Sequence, residues 1–436
     1  MKLKLIPLML IVLVTSSNGL QSQSVGHRGA AKVELVKNNN RWQLLRNGKP
    51  HYIHGAGGAG VDGPMDMLVD YGANSTRNWG ADPKSVAALD KALKHGISVA
   101  QGLWLEHQDH KGKEYPQGFD YNNLDHVMAQ TRKVMSDVMR LKDHPSILVW
   151  GVGNEMEGTE GNDPAIWLHI EDLASRIKAV DPNHPIMTVI AEIGGRKLEA
   201  IEELCPSVDL IGINSYGGGP SLPQRYRESG CKKPYIVTEF GPLGTWEVGK
   251  NEFNAVVEPT STAKVDQYRA SYEAFKADEN CLGAYAFLWG WKQEGTATWF
   301  GMLTKDNRKT AAVDLMTNYW TGKPAKNLCP KIDDFKIDGS NQGKPNEIVK
   351  FALSASDPEN KPLTVKWVVT DEVEYVTGGF KQKEANVLNK CIVKSDDKGA
   401  QIKLPNVDGI IRVYAYVEDG DGSIATANLP VLVKSK

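Results

Sequence analysis

Cysteine is scarce in this chain. There are five in 436 residues, Cys205, Cys231, Cys281, Cys329 and Cys391, spread too widely to suggest a zinc site. The odd count leaves at least one thiol outside any intrachain disulfide, and buried free thiols are the simpler reading for most. An excess of charge of one sign is also missing. Fifty-one basic and 53 acidic side chains leave a net charge of −2. No basic run interrupts that balance, so nothing points to nucleic acid. Beyond the N-terminus no apolar stretch is long enough to cross a bilayer, so no membrane span is expected in the mature chain. Gly55-Ala56-Gly57-Gly58 lacks the spacing of a dinucleotide or phosphate loop. No His-x-His pair falls where a metal-dependent hydrolase would want one, and neither a metal nor an organic cofactor is expected. There is no internal repeat and no low-complexity linker.

The N-terminus has the pattern of a secretory signal. Lys2 and Lys4 precede an apolar run from Leu5 to Val14, and small polar residues from Ser16 to Ser24 suit cleavage. Residues 1–24 are therefore read as a signal peptide, with a secreted or periplasmic destination. An uncleaved anchor is the rival reading. Eleven tryptophans are more than a chain of this size needs. Flat aromatic faces stack on sugar rings, although core packing accounts for any single one of them.

From Lys32 to Ile53, short strands with turns at Asn38-Asn39-Asn40 and Asn47-Gly48-Lys49-Pro50 suggest a hairpin able to plug the bottom of a barrel. Strands then alternate with helices. Candidate strands cover Tyr52–Ala56, Asn74–Arg77, Ile97–Leu105, Ile147–Trp150, Ile186–Ile193, Val208–Tyr216, Lys233–Phe240 and Gly283–Trp289. Between them run apolar stripes of period 3.6, such as Leu124, Val127, Thr131, Val134, Val138 and Leu141. One helix is expected to start at Asp82-Pro83 and stop at Gly96. Alternation of this kind predicts a parallel sheet, and eight units over roughly 270 residues is the size of one closed (β/α)8 barrel. The long polar loop from Glu106 to Tyr121 is a candidate for binding. Past Thr321-Gly322-Lys323-Pro324 the period changes to 2, as in Val365, Trp367, Val369 and Ile411, Val413, Ala415, Val417. Short strands with regular turns predict a small β-sandwich of about 100 residues. The expected organisation is a barrel over 25–326 and an immunoglobulin-like sandwich over 327–436. Asp419-Gly420-Asp421-Gly422 reads as a hairpin turn ahead of a calcium loop.

Two of these strands end alike. His144-Pro145-Ser146-Ile147-Leu148-Val149-Trp150 runs into Gly151-Val152-Gly153-Asn154-Glu155, and Tyr235-Ile236-Val237 runs into Thr238-Glu239-Phe240-Gly241. Both are continuous apolar runs, as suits strands covered on two faces, and each ends in a glutamate where a barrel places its chemistry. Two carboxyl groups are the minimum for cleaving a glycosidic bond: one protonates the leaving oxygen, the other attacks or activates water.

These motifs resemble those of clan A glycoside hydrolases, most closely the barrel domain of glycoside hydrolase family 2, with its β-galactosidases, β-mannosidases and β-glucuronidases. The resemblance covers roughly Lys49 to Trp320. It implies a retaining β-glycoside hydrolase acting by double displacement on a β-linked carbohydrate, with Glu155 as acid/base and Glu239 as nucleophile. It further implies that Asn154 holds the sugar 2-hydroxyl, that Arg77 sits beside the nucleophile, that Tyr216 donates a hydrogen bond to it, and that Trp289 floors the sugar subsite. A packing role competes with binding for His54, Trp79, Trp104 and His107, and Glu157, Glu192 and Glu247 are given no role. Family 2 enzymes usually carry a β-sandwich and an immunoglobulin-like domain before the barrel. Here the small β domain follows it, which raises the expectation of a more open groove, as in endo-glucanases, endo-mannanases and glucanosyltransferases. A transglycosylase on the same barrel and a non-catalytic glycan-binding protein are the competing readings.

Overall fold

The computed structural model describes residues 29–158, 161–374 and 382–435, and the expected signal peptide lies outside them. A hairpin of β1 (Val33–Asn38) and β2 (Arg41–Arg46), with the short β3 (Lys49–Pro50), opens the described chain. Eight parallel strands follow: β4 (Ile53–Gly57), β5 (Ser75–Asn78), β6 (Ser98–Leu103), β7 (Ile147–Val152), β8 (Ile186–Ala191), β9 (Leu210–Asn214), β10 (Tyr235–Phe240) and β11 (Cys281–Ala286). They form one closed barrel, as expected. Their lack of polar alternation has a physical cause. Every residue of β6, β7, β10 and β11 is buried, one face against the barrel interior and the other against helices.

The lower interior is filled by Leu148, Met187, Leu210, Ile236, Leu282 and Tyr285, which pack in one cluster with Val33 and Leu44 of the hairpin. The hairpin thus closes the bottom of the barrel, and the polar strand ends are left at the other mouth. Two glycines of the Gly55–Gly58 run make room for large rings. A Cβ at Gly55 would lie 2.7 Å from the Tyr285 ring, whose hydroxyl is 2.7 Å from Ser75 Oγ. A Cβ at Gly57 would lie 2.8 Å from the ring of Trp79.

The outer ring is α1 (Met65–Asp70), α2 (Ser85–Lys94), α3 (Leu124–Leu141), α4 (Pro164–Val180), α5 (Lys197–Leu204), α6 (Leu222–Ser229), α7 (Ser261–Ala277) and α8 (Ala311–Thr321). Asn123 caps α3 by accepting from the Asp125 and His126 amides, and Asp163 caps α4 ahead of Pro164. α1 escapes a periodicity reading because it has only six residues, of which Met65 and Leu68 alone are buried. α2 starts later than its Asp82-Pro83 signal, because Asp82 spends its side chain on the Lys84 amide and the Ser85 hydroxyl in a preceding turn.

Two four-stranded sheets follow the barrel, β12-β14-β17-β16 and β13-β19-β18-β15. Their strands are β12 (Lys331–Asp338), β13 (Gln342–Gly343), β14 (Ile348–Ser356), β15 (Thr364–Asp371), β16 (Ile392–Ser395), β17 (Gly399–Lys403), β18 (Gly409–Glu418) and β19 (Ile424–Val433). The alternating residues Val365, Trp367, Val369, Val413, Ala415 and Val417 form or flank its core. All five cysteines are free; burial pushes the Cys205 and Cys281 thiols up to about 12, so both stay protonated. The Asp419 turn is closed by its own carboxylate, Oδ1 accepting the Asp421 and Ser423 amides, and it fastens to the barrel where the Lys309 amide donates to Gly422 O at 3.1 Å and the Ile424 amide to Lys309 O at 3.0 Å.

Candidate active site

At the upper mouth the strand ends converge on Glu239. This carboxylate is 6 % exposed, and three side chains donate to it. Arg77 Nη1 reaches Oε1 at 2.8 Å, Trp79 Nε1 reaches the same oxygen at 2.7 Å, and the Tyr216 hydroxyl reaches Oε2 at 2.8 Å. Arg77 leaves the end of β5 almost fully buried, and also donates to Thr238 O at 3.0 Å and Asn154 Oδ1 at 2.5 Å. Its guanidinium lies 5.1 Å from the Trp79 ring centre. A buried carboxylate needs a paired cation and filled lone pairs, and these residues supply both. Burial and the neighbouring Glu239 push the Tyr216 hydroxyl well above its ordinary range, so it remains a donor.

Glu155 follows β7 with a left-handed backbone, φ 54°. Its Oε1 accepts from Asn214 Nδ2 at 2.7 Å. Burial first, and then the charge of Glu239, push its carboxyl up to about 7; the Asn214 hydrogen bond and Arg77 oppose the rise. The two carboxyl groups therefore differ in kind. One is solvated by three fixed donors, and the other has a substantial protonated population at neutral pH. Paired carboxyls with divergent environments are the arrangement that lets one act as acid and the other as nucleophile.

Both line a cleft of about 930 Å³, toward the upper end of the ~300–1,000 Å³ ordinary for ligand pockets. Trp79, Trp104, Trp246, Phe287 and Trp291 give it aromatic walls. Of the sequence-predicted residues, Glu155, Glu239, Asn154 and Tyr216 line this cleft, and Arg77 supports it from behind.

Trp289 does not join them. It is fully buried, its Nε1 donates to Pro64 O at 2.8 Å, and its ring packs 6.1 Å from that of Tyr71. The expectation placed it at a strand end, but β11 stops at Ala286. Beyond that point the Leu288 amide bonds to Phe300 O and the Trp289 amide to Gly57 O. The period-2 pairing of Trp289 with Trp291 is thereby broken. Phe287 and Trp291 face the cleft instead. His54 turns away and bonds Tyr272.

Other cleft residues had no assigned role, or one divided between packing and binding. Trp79 had only its strand-end position to recommend it; the room for its ring beside Gly57 is a tertiary contact. Asn214, closing β9, carried no signal beyond its place. Glu192 and Glu247 do line the cleft; Glu192 pairs with Arg225 at 2.9 Å, and Glu247 accepts the Gly217 and Gly244 amides. Glu157 lies behind the wall, 3.3 Å from Lys197.

Residues 65–321 match the family model described as "Glycosyl hydrolases family 2, TIM barrel domain". The chain belongs to that family. It is similar to the β-glucuronidase of Rattus norvegicus, 30 % identical over 314 residues, covering 64 % of this chain and 45 % of the relative. The β-glucuronidase of Pongo abelii is 30 % identical over 188 residues, 40 % of this chain and 26 % of the relative. The chain thus spans less than half the length of either relative. Among solved structures, the β-D-glucuronidase of Dictyoglomus thermophilum matches with a TM-score of 0.51 and 19 % identity, covering 67 % of this chain and 54 % of that one; the likeness is one of fold.

Proposed function

We propose that this family 2 chain is a retaining β-glycoside hydrolase. The observation that carries the reading is the contrast between Glu155 and Glu239 in one cleft. In the first step a Glu239 oxygen attacks the anomeric carbon while the bond to the leaving oxygen breaks, and the Glu155 proton moves to that oxygen. A covalent glycosyl-enzyme results. Glu155, now a carboxylate, takes a proton from water, which attacks the anomeric carbon and frees Glu239. Asn154, held by Arg77, is available for a sugar hydroxyl. Trp79 and Tyr216 donate to the Glu239 oxygens, whose negative charge is lost as the ester forms, while Glu155 becomes the carboxylate, and is regained on hydrolysis.

The substrate we infer is a β-linked oligo- or polysaccharide of uncharged sugars. The described residues lining the cleft include seven carboxyl side chains, Asp62, Glu155, Glu192, Glu239, Glu247, Glu294 and Glu384, against the single ammonium of Lys292. That ammonium is 2.6 Å from Glu294. A uronate would bring another negative charge into this field. The names of the relatives favour the second reading, a β-glucuronide.

The test is hydrolysis of β-linked glucans, mannans and galactans and of aryl β-hexosides, beside the aryl β-glucuronide and with Glu239→Gln as control. Proton NMR of fresh product reads the anomer. A β-anomer formed first, lost in Glu239→Gln, supports double displacement; an α-anomer overturns it. A kcat/KM at least about tenfold higher on an uncharged glycoside supports the substrate, and preference for the glucuronide overturns it. The N-terminal pattern supports a secreted or periplasmic setting, checked by N-terminal sequencing of the exported protein.

A further inference from the structure

We infer that the C-terminal sandwich is a working part of the cleft: it presents Gln382 and Glu384 to it, and holds the loop after β11 that carries Trp291. The substrate-affinity half of this inference rests on the hydrolase reading above.

Gln382 and Glu384 follow β15 in the sandwich, yet line the same cleft as Glu155 and Glu239. Gln382 is 4 % exposed, and its Oε1 accepts the Gly295 amide at 3.0 Å. Gly295 lies in the loop that bears Trp291, Lys292, Gln293 and Glu294, all facing the cleft. Glu384 pairs with Lys305 at 2.6 Å, and the Lys305 ammonium stands 4.8 Å from the Trp291 ring centre. That pair is exposed and weak alone; its value here is to orient a ring already held by its Nε1 bond to Ala297 O at 2.8 Å.

The other end of the loop is held by buried charge. Glu258, preceding α7, and Lys264 within it meet at 2.5 Å. Lys264 Nζ also donates to Thr298 O at 2.7 Å and Trp299 O at 2.9 Å. Glu258 accepts from the hydroxyls of Thr296 and Thr298. From the sandwich, Asn428 donates to Glu258 and to Thr298 Oγ1, and Arg412 donates to Asn428 Oδ1 at 2.7 Å and to Val256 O at 2.9 Å. Arg412 is itself neutralised by Glu372 through two bonds, at 2.5 and 2.8 Å. Burying the Glu258–Lys264 pair and the Arg412 guanidinium is costly unless the remaining donors and acceptors are met. Here barrel and sandwich meet them jointly, so the loop has one seating when the sandwich is docked.

The experiment uses the full chain with Gln382→Ala and Gln382→Glu, thermal melts confirming that each is folded. Amide hydrogen exchange of residues 291–299 is expected to quicken about tenfold or more in Gln382→Ala, and to return toward wild type in Gln382→Glu, which keeps an acceptor for Gly295. Unchanged exchange overturns the hold on the loop. On whichever β-linked tetrasaccharide the wild type cleaves, Gln382→Ala is expected to raise KM about fivefold or more, by a larger factor than it lowers kcat, with recovery in Gln382→Glu. A change in kcat alone, or none, overturns the affinity role. If the wild type cleaves no β-linked tetrasaccharide, the hydrolase reading falls, and the affinity half of the inference falls with it; the exchange result still decides the structural half.

Discussion

Asn214 joins the surroundings of the two carboxyl groups: its Nδ2 lies 2.7 Å from Glu155 Oε1, while its Oδ1 accepts from the Thr238 hydroxyl, next to Glu239, at 2.7 Å. Its donation favours the charged form of Glu155. Asn214→Ala removes that donor, so the Glu155 carboxyl should rise further above about 7. The basic limb of the kcat/KM profile then moves to higher pH, against a kcat/KM loss of about tenfold, the scale of one hydrogen bond to a charged group. A limb that stays put or moves down refutes the role.

Glu155→Gln should lower kcat/KM by about 10²–10⁴-fold, the usual worth of a general acid, and abolish the basic limb. It also bears on stability. The Glu155 carboxyl has a higher pKa folded, about 7, than the ordinary glutamate value of 4.5, so the folded state binds more protons in between and stability falls as pH rises through that window. Replacing it with an amide removes that loss. The Tm of Glu155→Gln minus that of wild type should be more positive at pH 8 than at pH 4; melts at the two pH values check this.

Trp79→Phe keeps an aromatic ring against Phe287, which the native indole meets edge-on at 5.8 Å, and deletes the N–H donated to Glu239. A hydrogen bond to a charged group is worth about 1.5–3 kcal/mol, so kcat/KM should fall by about 10- to 150-fold, with far-UV circular dichroism unchanged. An unaltered kcat/KM would mean that Arg77 and Tyr216 suffice.

Trp289 and Trp291 should separate cleanly. Trp289→Ala empties a fully buried site and removes the indole donor to Pro64 O, costing about 3–5 kcal/mol, read as a lower denaturant midpoint. Trp291→Ala leaves the midpoint nearly where it was and raises KM, because its ring faces the cleft. The opposite pattern would restore Trp289 to the sugar subsite.

The barrel, its bottom hairpin and the sandwich were legible because each rests on a local period: unbroken apolar strands, stripes of 3.6 and alternation of 2. Glu155 and Glu239 were legible because a strand's direction places whatever ends it at one mouth of the barrel. What sequence determined by itself stops where regular structure stops. Past Ala286 no period constrains the chain, and only the bonds to Gly57 and Phe300 decided that Trp289 turns inward while Phe287 and Trp291 face the cleft. Trp79 needed Gly57, 22 residues away, to yield room for its ring. Gln382 reached the cleft because barrel and sandwich dock through hydrogen bonds that cross between them, from Asn428 to Glu258 and Thr298 and from Arg412 to Val256 O. Those outcomes depend on contacts between segments far apart in the chain, which the spacing of residues along it does not encode.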